Sequence, residues 1–284
     1  MASRGGFKVR PMERQELDLA LDWAADEGWN PCLHDADAFF DSDPEGYLVG
    51  LLSGEPIGCI SAVAYNNAFG FLGLYIVKPE HRGKGFGMEL WRHAMRRLGS
   101  RSVGLDGVVG RLRDYERQGF VLAYRNIRYE SAGDRGARPP PGSIIDLRKY
   151  GTKAAAEYEK RLFPASRTRF LEKWLDQRQG AALGCMDAGK LVGYGVVRKC
   201  VRGFKVGPLF ADTRQAARDL FWGLAGRAAG EPVYIDVPEA NGMAVDLAKE
   251  VGMHKVFETA RMYKGLKPDL DISRIYGVTT LELG

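Results

Sequence analysis

The sequence predicts an α/β (α+β) chain built as two units. Three observations carry that prediction. A strand, a glycine-rich loop and an amphipathic helix follow one another between Phe71 and Leu98. Residues 131–142 combine Ala, Gly and Arg with three consecutive prolines, which is linker chemistry. The half after this linker faintly repeats spacings of the half before it. With 284 residues the chain is long enough for two cores. At 45% apolar and 27% charged, its composition is that of a folded globular protein. The expected division is residues 1–130, a linker at 131–142, and residues 143–284.

Each element has a local reason. Phe7 to Arg10 alternates and stops at Pro11, a short strand. Glu13 to Gly28 reads as a helix, with Leu17, Ala20, Leu21 and Ala24 on one face and Gly28 as its stop. Trp29-Asn30-Pro31 opens a loop, and Asp35 to Phe40 forms a second short helix. Tyr47–Leu52 and Ile57–Tyr65, joined through Ser53-Gly54-Glu55, make a hairpin. Phe71 to Val77 is short, apolar and aromatic and stops before Pro79, so it is a buried strand. From Met88, the residues Met88, Trp91, Ala94, Met95 and Leu98 fall on one helical face, leaving Arg92, Arg96 and Arg97 to the other. Val103–Val109 is a further strand, a helix runs from about Arg111 to Gly119, and Phe120–Glu130 is the strand that closes the first unit.

Between strand and helix lies Arg82-Gly83-Lys84-Gly85-Phe86-Gly87. Glycine lets the main chain approach a ligand, and the N–H groups of a first helical turn attract anions, so the stretch is a pyrophosphate cradle. A Walker loop needs Gly-x-x-x-x-Gly-Lys-Ser/Thr, which is absent here. A dinucleotide fingerprint counted from Gly83 would put its third glycine on Met88, although Asp106 stands about where a ribose-binding acid belongs. That reading stays open at this point.

The order Val77-x-Pro79-Glu80-x-Arg82-Gly83-x-Gly85-x-Gly87 resembles motif A of the GCN5-related N-acetyltransferases. Tyr115-Glu116-Arg117-Gln118-Gly119-Phe120 is similar to that family's second signature, and the resemblance covers residues 7–130. It implies a mixed, mostly antiparallel central sheet flanked by helices in each unit. It further implies that acetyl-CoA binds along Tyr75, Ile76 and Val77, with its pyrophosphate held by Arg82, Gly83, Lys84, Gly85, Phe86, Gly87 and Met88. A main-chain N–H near Tyr75–Val77 would polarise the thioester, and Tyr115 would protonate the departing thiolate. In the family the early helices wall the acceptor site, which points to Trp29, His34 and Asp37 as acceptor contacts. The Phe71–Val77 strand carries no carboxylate, so the amine's proton is expected to leave through a water anchored on Asp106, Asp37 or the Tyr75 hydroxyl. The implied activity is direct acetyl transfer from acetyl-CoA to an amine; a non-catalytic CoA-binding sensor is the alternative.

In the second half, Gly189-Lys190-Leu191-Val192-Gly193 answers Gly54–Gly58, and Gly252-Met253 answers Gly119-Phe120. What would correspond to the glycine loop, Phe210 to Arg218, contains no glycine, and Ala248 stands where the first half has Tyr115. The family's usual Asn seven residues before the tyrosine is Val108 in the first half, while Asn241 holds the matching place in the second. The whole resembles tandem bacterial acetyltransferases with one active and one degenerate domain.

The net charge of +5 hides an asymmetry. Gln15 to Val77 has eleven carboxylates and neither Lys nor Arg, whereas Lys78 to Tyr129 is strongly basic. The basic run suits the phosphates of CoA, and the acidic run suits a small cationic amine or a peptide amino group. No nucleic-acid motif is present, so nucleic acid is not an expected partner. The N-terminal residues have no apolar signal-like core and no run is long enough to span a membrane, so a cytoplasmic protein is expected. Cys32, Cys59, Cys185 and Cys200 are scattered without metal-ligand spacing, so reduced thiols and no metal are expected.

Overall fold

The computed structural model describes residues 6–131, 143–228 and 230–284, so all of the predicted linker except Ser131 lies outside the described residues. The first half runs β1 (Phe7–Pro11), α1 (Arg14–Asp26), α2 (Asp35–Ser42), β2 (Tyr47–Leu52), β3 (Glu55–Ala64) and β4 (Phe69–Val77). It continues through α3 (Phe86–Leu98), β5 (Ser102–Val108), α4 (Leu112–Arg117) and β6 (Val121–Ser131). The second half runs β7 (Ile144–Asp146), α5 (Thr152–Tyr158), α6 (Thr168–Leu175), β8 (Ala181–Asp187), β9 (Lys190–Lys199) and β10 (Phe204–Ala211). After these come α7 (Arg214–Ala225), β11 (Val233–Pro238), α8 (Gly242–Glu250), β12 (His254–Lys264) and β13 (Ile275–Gly277).

Local chemistry accounts for the ends of these elements. Glu13 and Glu16 form a capping box that starts α1. Ser53 and Gly54 both have positive φ, 51° and 91°, the tight turn that joins β2 to β3. The Leu90, Trp91, Ala94 and Leu98 face of α3 is buried against the sheet, as its spacing requires.

The strands form one mixed sheet in the order β1-β2-β3-β4-β5-β12-β6-β11-β10-β9-β8-β7, with β13 paired to β10. Among the described residues only β4 with β5 and β10 with β11 run parallel, unlike the wholly parallel sheet of a dinucleotide fold. The expectation that β6 closes the first unit is overturned. The strand beside β5 is β12, in the register Leu105↔Met262, while β6 reaches across to β11, in the register Tyr129↔Ile235. Each half thus completes its part of the sheet with a strand of the other. Alternating apolar residues only require a flat neighbour, and they do not say which one. Buried charge does: Arg261 on β12 needs Asp106 on β5, and Arg128 on β6 needs Asp236 on β11.

The two parallel pairs separate in the same way. β4 follows β5 only from Phe69↔Ser102 to Leu72↔Leu105, after which the strands diverge. β10 follows β11 only from Phe204↔Val233 to Val206↔Ile235. In the second half the divergence is filled by β13, which pairs Gly277 with Leu209 and Ile275 with Phe210. In the first half it is a cavity.

The thiol expectation also needs correction. Cys32 and Cys200, 168 residues apart, are disulfide-bonded and tie the loop before α2 to the β9–β10 turn. Cys59 and Cys185 are free and buried. The pairing was invisible in the spacing because it joins the two halves. No described helix is long and apolar enough to cross a membrane.

Candidate functional site

The cavity between the diverging strands measures about 660 Å³. Gly73 to Val77 of β4 form one wall and Leu105, Asp106 and Val108 of β5 another. The backbone of β4 bends where the strands part: Leu74 has φ 44°, a left-handed conformation unusual for a branched side chain. The register against β3 shifts over the same residues. Main-chain groups of Gly73–Val77 on the β5 side therefore have no strand to pair with, and they border the cavity.

The glycine loop closes one end. Gly83 and Gly85 have φ of 72° and 81°, where any Cβ is strained. A Cβ on Gly87 would lie 2.7 Å from the Tyr75 hydroxyl. α3 starts directly after Gly85, and no side chain caps its N-terminus. Arg82 is held in place by its Nε, which donates to the Val77 carbonyl at 2.7 Å, and by an ion pair with Glu27 at the end of α1. Lys84 turns away, donating to the Glu80 carbonyl at 2.8 Å. Phe86 packs into the core, its ring 4.8 Å from that of Phe7. Neither Lys84 nor Phe86 is among the lining residues, whereas Arg82, Gly83, Gly85, Gly87 and Met88 are.

Tyr115 enters from α4. Its ring lies 5.8 Å from that of Trp91, and Gly107 leaves the room it occupies, since a Cβ there would collide with it. Burial pushes its hydroxyl up to about 12. Burial, reinforced by Tyr115, lifts the Tyr75 hydroxyl to about 12 as well. Arg111, Asp114, Arg117 and Gln118 of the same segment rim the cavity, with Asp114 bridging the two arginines.

Of the predicted acceptor contacts, Trp29 lines the cavity but His34 and Asp37 do not. Asp37 is exposed and paired with Arg14, and His34 merely precedes α2 without a capping hydrogen bond. Asp106 reaches the cavity wall, yet both its oxygens are engaged, by Arg261 and Asn126. The acidic run does not wall the cavity: of its eleven carboxylates only Glu27 lines it. Acidic and basic runs instead meet each other, as in Arg97 with Asp43 and Arg82 with Glu27.

The remaining lining comes from residues that local pattern could not assign: Arg128 of β6, Phe257 and Thr259 of β12, and Leu281 and Glu282 beyond β13. The guanidinium of Arg128 is spent on Asp236 and on the Trp29 carbonyl. Thr259 is buried and its hydroxyl has no partner among the described residues. These positions lie more than 100 residues from the glycine loop, or on the exchanged strand, so no spacing signal could have found them.

Residues 14–120 match the model of the acetyltransferase (GNAT) family, and residues 155–277 match the model of an acetyltransferase (GNAT) domain. Between them the two matches cover more than half of the chain. The chain is a tandem GNAT-family acyltransferase.

A protein of Pseudoalteromonas sp. (strain SANK 73390) described as a holothin acyltransferase is 29% identical over 97% of this chain and 94% of its own length. An uncharacterised N-acetyltransferase of Bacillus subtilis, YitH, is 22% identical over 82% of this chain and 83% of its own. A Pyrococcus horikoshii structure provisionally described as an acetyltransferase aligns with a TM-score of 0.83 at 23% identity, covering 100% of this chain and 98% of that one. A tandem GNAT protein from the clavulanic acid biosynthesis pathway aligns with a TM-score of 0.64 at 16% identity, covering 92% of this chain and all of that one. At these identities the solved structures speak for the fold.

Phe120 N–H donates to the Tyr115 carbonyl at 3.1 Å, and Met253 N–H donates to the Ala248 carbonyl at 2.9 Å, so the same helix end is built with and without the tyrosine. In place of a glycine loop the second unit has Asp212 and Thr213, and the Thr213 side chain caps α7 at Ala216. Asn241 caps α8 and spends its amide on carbonyls of residues 272–275. Among the described residues no cluster of His, Cys, Asp or Glu has the makings of a metal site.

Proposed function

We propose that the first GNAT unit transfers an acetyl group from acetyl-CoA to the primary amine of a small acceptor, both substrates being bound together. The observation that carries this reading is the contrast between the two strand divergences: that of the first unit is an open cavity ending at the glycine loop, and that of the second is filled by β13. The cavity fits the donor. Its unpaired β4 backbone suits the amides of a pantetheine arm, and the uncapped N-terminus of α3 suits a pyrophosphate. Arg111 and Arg117 at the rim suit the remaining phosphates.

Acetyl-CoA supplies an activated acyl group, and the chain supplies position and protons. Tyr115, protonated at any physiological pH, donates to the sulfur as it leaves. Trp29, Phe257 and Leu281 offer flat apolar surface, and Arg128 is already neutralised, so a neutral amine on a flat apolar body fits better than a polycation. The match along nearly the whole chain to a protein described as a holothin acyltransferase supports acyl transfer.

The test is CoASH release from acetyl-CoA with tryptamine, tyramine, spermidine and a peptide with a free amino group. Tryptamine and tyramine should be turned over fastest. Tight acetyl-CoA binding with no release for any amine would indicate a sensor instead. Binding of a nicotinamide dinucleotide but not of CoA would discard the reading altogether.

A further inference from the structure

Among the described residues, four that carry a carboxylate line the cavity: Glu27, Asp106, Asp114 and Glu282. The first three are neutralised, by Arg82, by Arg261, and by Arg111 with Arg117. Glu282 has no ion pair among the described residues; it is 9% exposed and accepts one hydrogen bond, from the Thr280 hydroxyl. Arg128 of β6 and Lys205 of β10 feel its charge but do not touch it: Arg128 bonds Asp236 of β11, and Lys205 bonds the Asn30 carbonyl. A cation in direct contact makes a carboxylate a weaker proton acceptor. Among the described residues, Glu282 is the carboxylate of the cavity lining without a contacting cation.

Its position is built by the second unit. Residues 272–284 leave the filled divergence and run directly to the open one. Asn241 Nδ2 donates to the carbonyls of Ile272, Ser273 and Ile275 at 3.1, 3.0 and 3.0 Å. Val278 N–H donates to the Asp236 carbonyl at 2.9 Å, and Arg167 Nη2 to the Thr279 hydroxyl at 2.8 Å. Two glycines, each where a β-strand departs from its parallel neighbour, admit the segment: a Cβ on Gly207 would strike the Thr279 carbonyl, and one on Gly73 the Glu282 carbonyl. The Tyr65 hydroxyl then holds the Leu283 carbonyl at 2.9 Å.

Resting on the acetyl-transfer reading above, we propose that Glu282 takes the proton of the acceptor amine, and that the second unit uses its own divergence, filled by β13, to anchor the strap that presents this residue. The amine nitrogen bonds to the acyl carbon as the carbon–sulfur bond breaks. The proton lost by nitrogen goes to the Glu282 carboxylate, the sulfur takes a proton from Tyr115, and solvent restores both groups. Asn241 is a positioning residue: it touches the strap and not the substrates.

The experiment uses the full chain, acetyl-CoA, and whichever amine of the panel turns over fastest. Glu282→Gln should lower kcat by about 10²–10³-fold and leave acetyl-CoA affinity by calorimetry unchanged. Its log kcat should climb with unit slope in pH where the wild type is flat, because hydroxide then does the work of the base. Asn241→Asp keeps the α8 cap and removes the donor. It should speed amide exchange at Val278 and Gly284 in the unliganded protein and lower kcat, and combining it with Glu282→Gln should lower kcat no further. Wild-type kcat in Glu282→Gln overturns the proposal while the functional reading stands. Additive losses in the double variant overturn the strap. Wild type that binds no acetyl-CoA overturns the reading itself.

Discussion

Arg261 and Asp106 stand 155 residues apart and form a buried two-point ion pair, with Nε and Nη2 donating to the two carboxylate oxygens at 2.9 and 2.6 Å. Asn126 on β6 adds a third donor at 2.8 Å. The cluster pins β5, β12 and β6 side by side, so it locks the exchange of strands between the units. Asp106, anticipated as an anchor for the amine's proton, is thereby spent on architecture.

Arg261→Ala leaves that carboxylate buried and unpaired, which costs about 3–5 kcal/mol. Because β12 borders strands of both halves, the loss should lower one common unfolding transition seen by fluorescence and by circular dichroism. Two separate transitions in the wild type would mean that the halves fold independently.

Gly85 has a φ of 81° at the start of α3. Gly85→Val strains that backbone and pushes a branched side chain toward the cradle, so acetyl-CoA should bind at least about tenfold more weakly. Isothermal titration of both proteins measures it, and equal affinities would place the pyrophosphate elsewhere.

Tyr115→Phe should reduce kcat by about 10²-fold or more with little change in acetyl-CoA affinity. Burial holds the Tyr115 hydroxyl at about 12, so the group stays protonated through the working range. The wild-type rate should therefore show no descending limb below pH 10. A limb near pH 9 would assign the proton to another group.

Lys205 is buried with its Nζ 2.8 Å from the Asn30 carbonyl, and burial, reinforced by Arg128, lowers it to about 8 from 10.5. Between those two values the unfolded chain holds a proton that the folded chain has released, so this residue's contribution to stability rises with pH across that window. Relative to Lys205→Met, the wild type should gain on the order of 3 kcal/mol between pH 8 and 10.5. Denaturant titrations at both ends check the sign, and a gain on acidification would refute it.

By itself the sequence determined the helices and strands of the first half, and the local patterns of the glycine loop and of the Tyr115 helix end. These depend on contacts within a few residues: a 3.6 or two-residue apolar period, a positive φ only glycine tolerates, a tyrosine one turn before a helix stop. The loss of loop and tyrosine in the second half was legible on the same terms, because a missing glycine is as local as a present one. Only the tertiary structure decided that β12 and β6 change places, that β13 fills one cleft, that Cys32 meets Cys200, and that Glu282 enters the other cleft. Alternation makes a strand that fits many neighbours, and a carboxylate near a chain end looks the same whether solvated or inserted 200 residues away. Those choices are made by buried charges and close glycine contacts between distant segments, which exist only once the whole sheet has assembled.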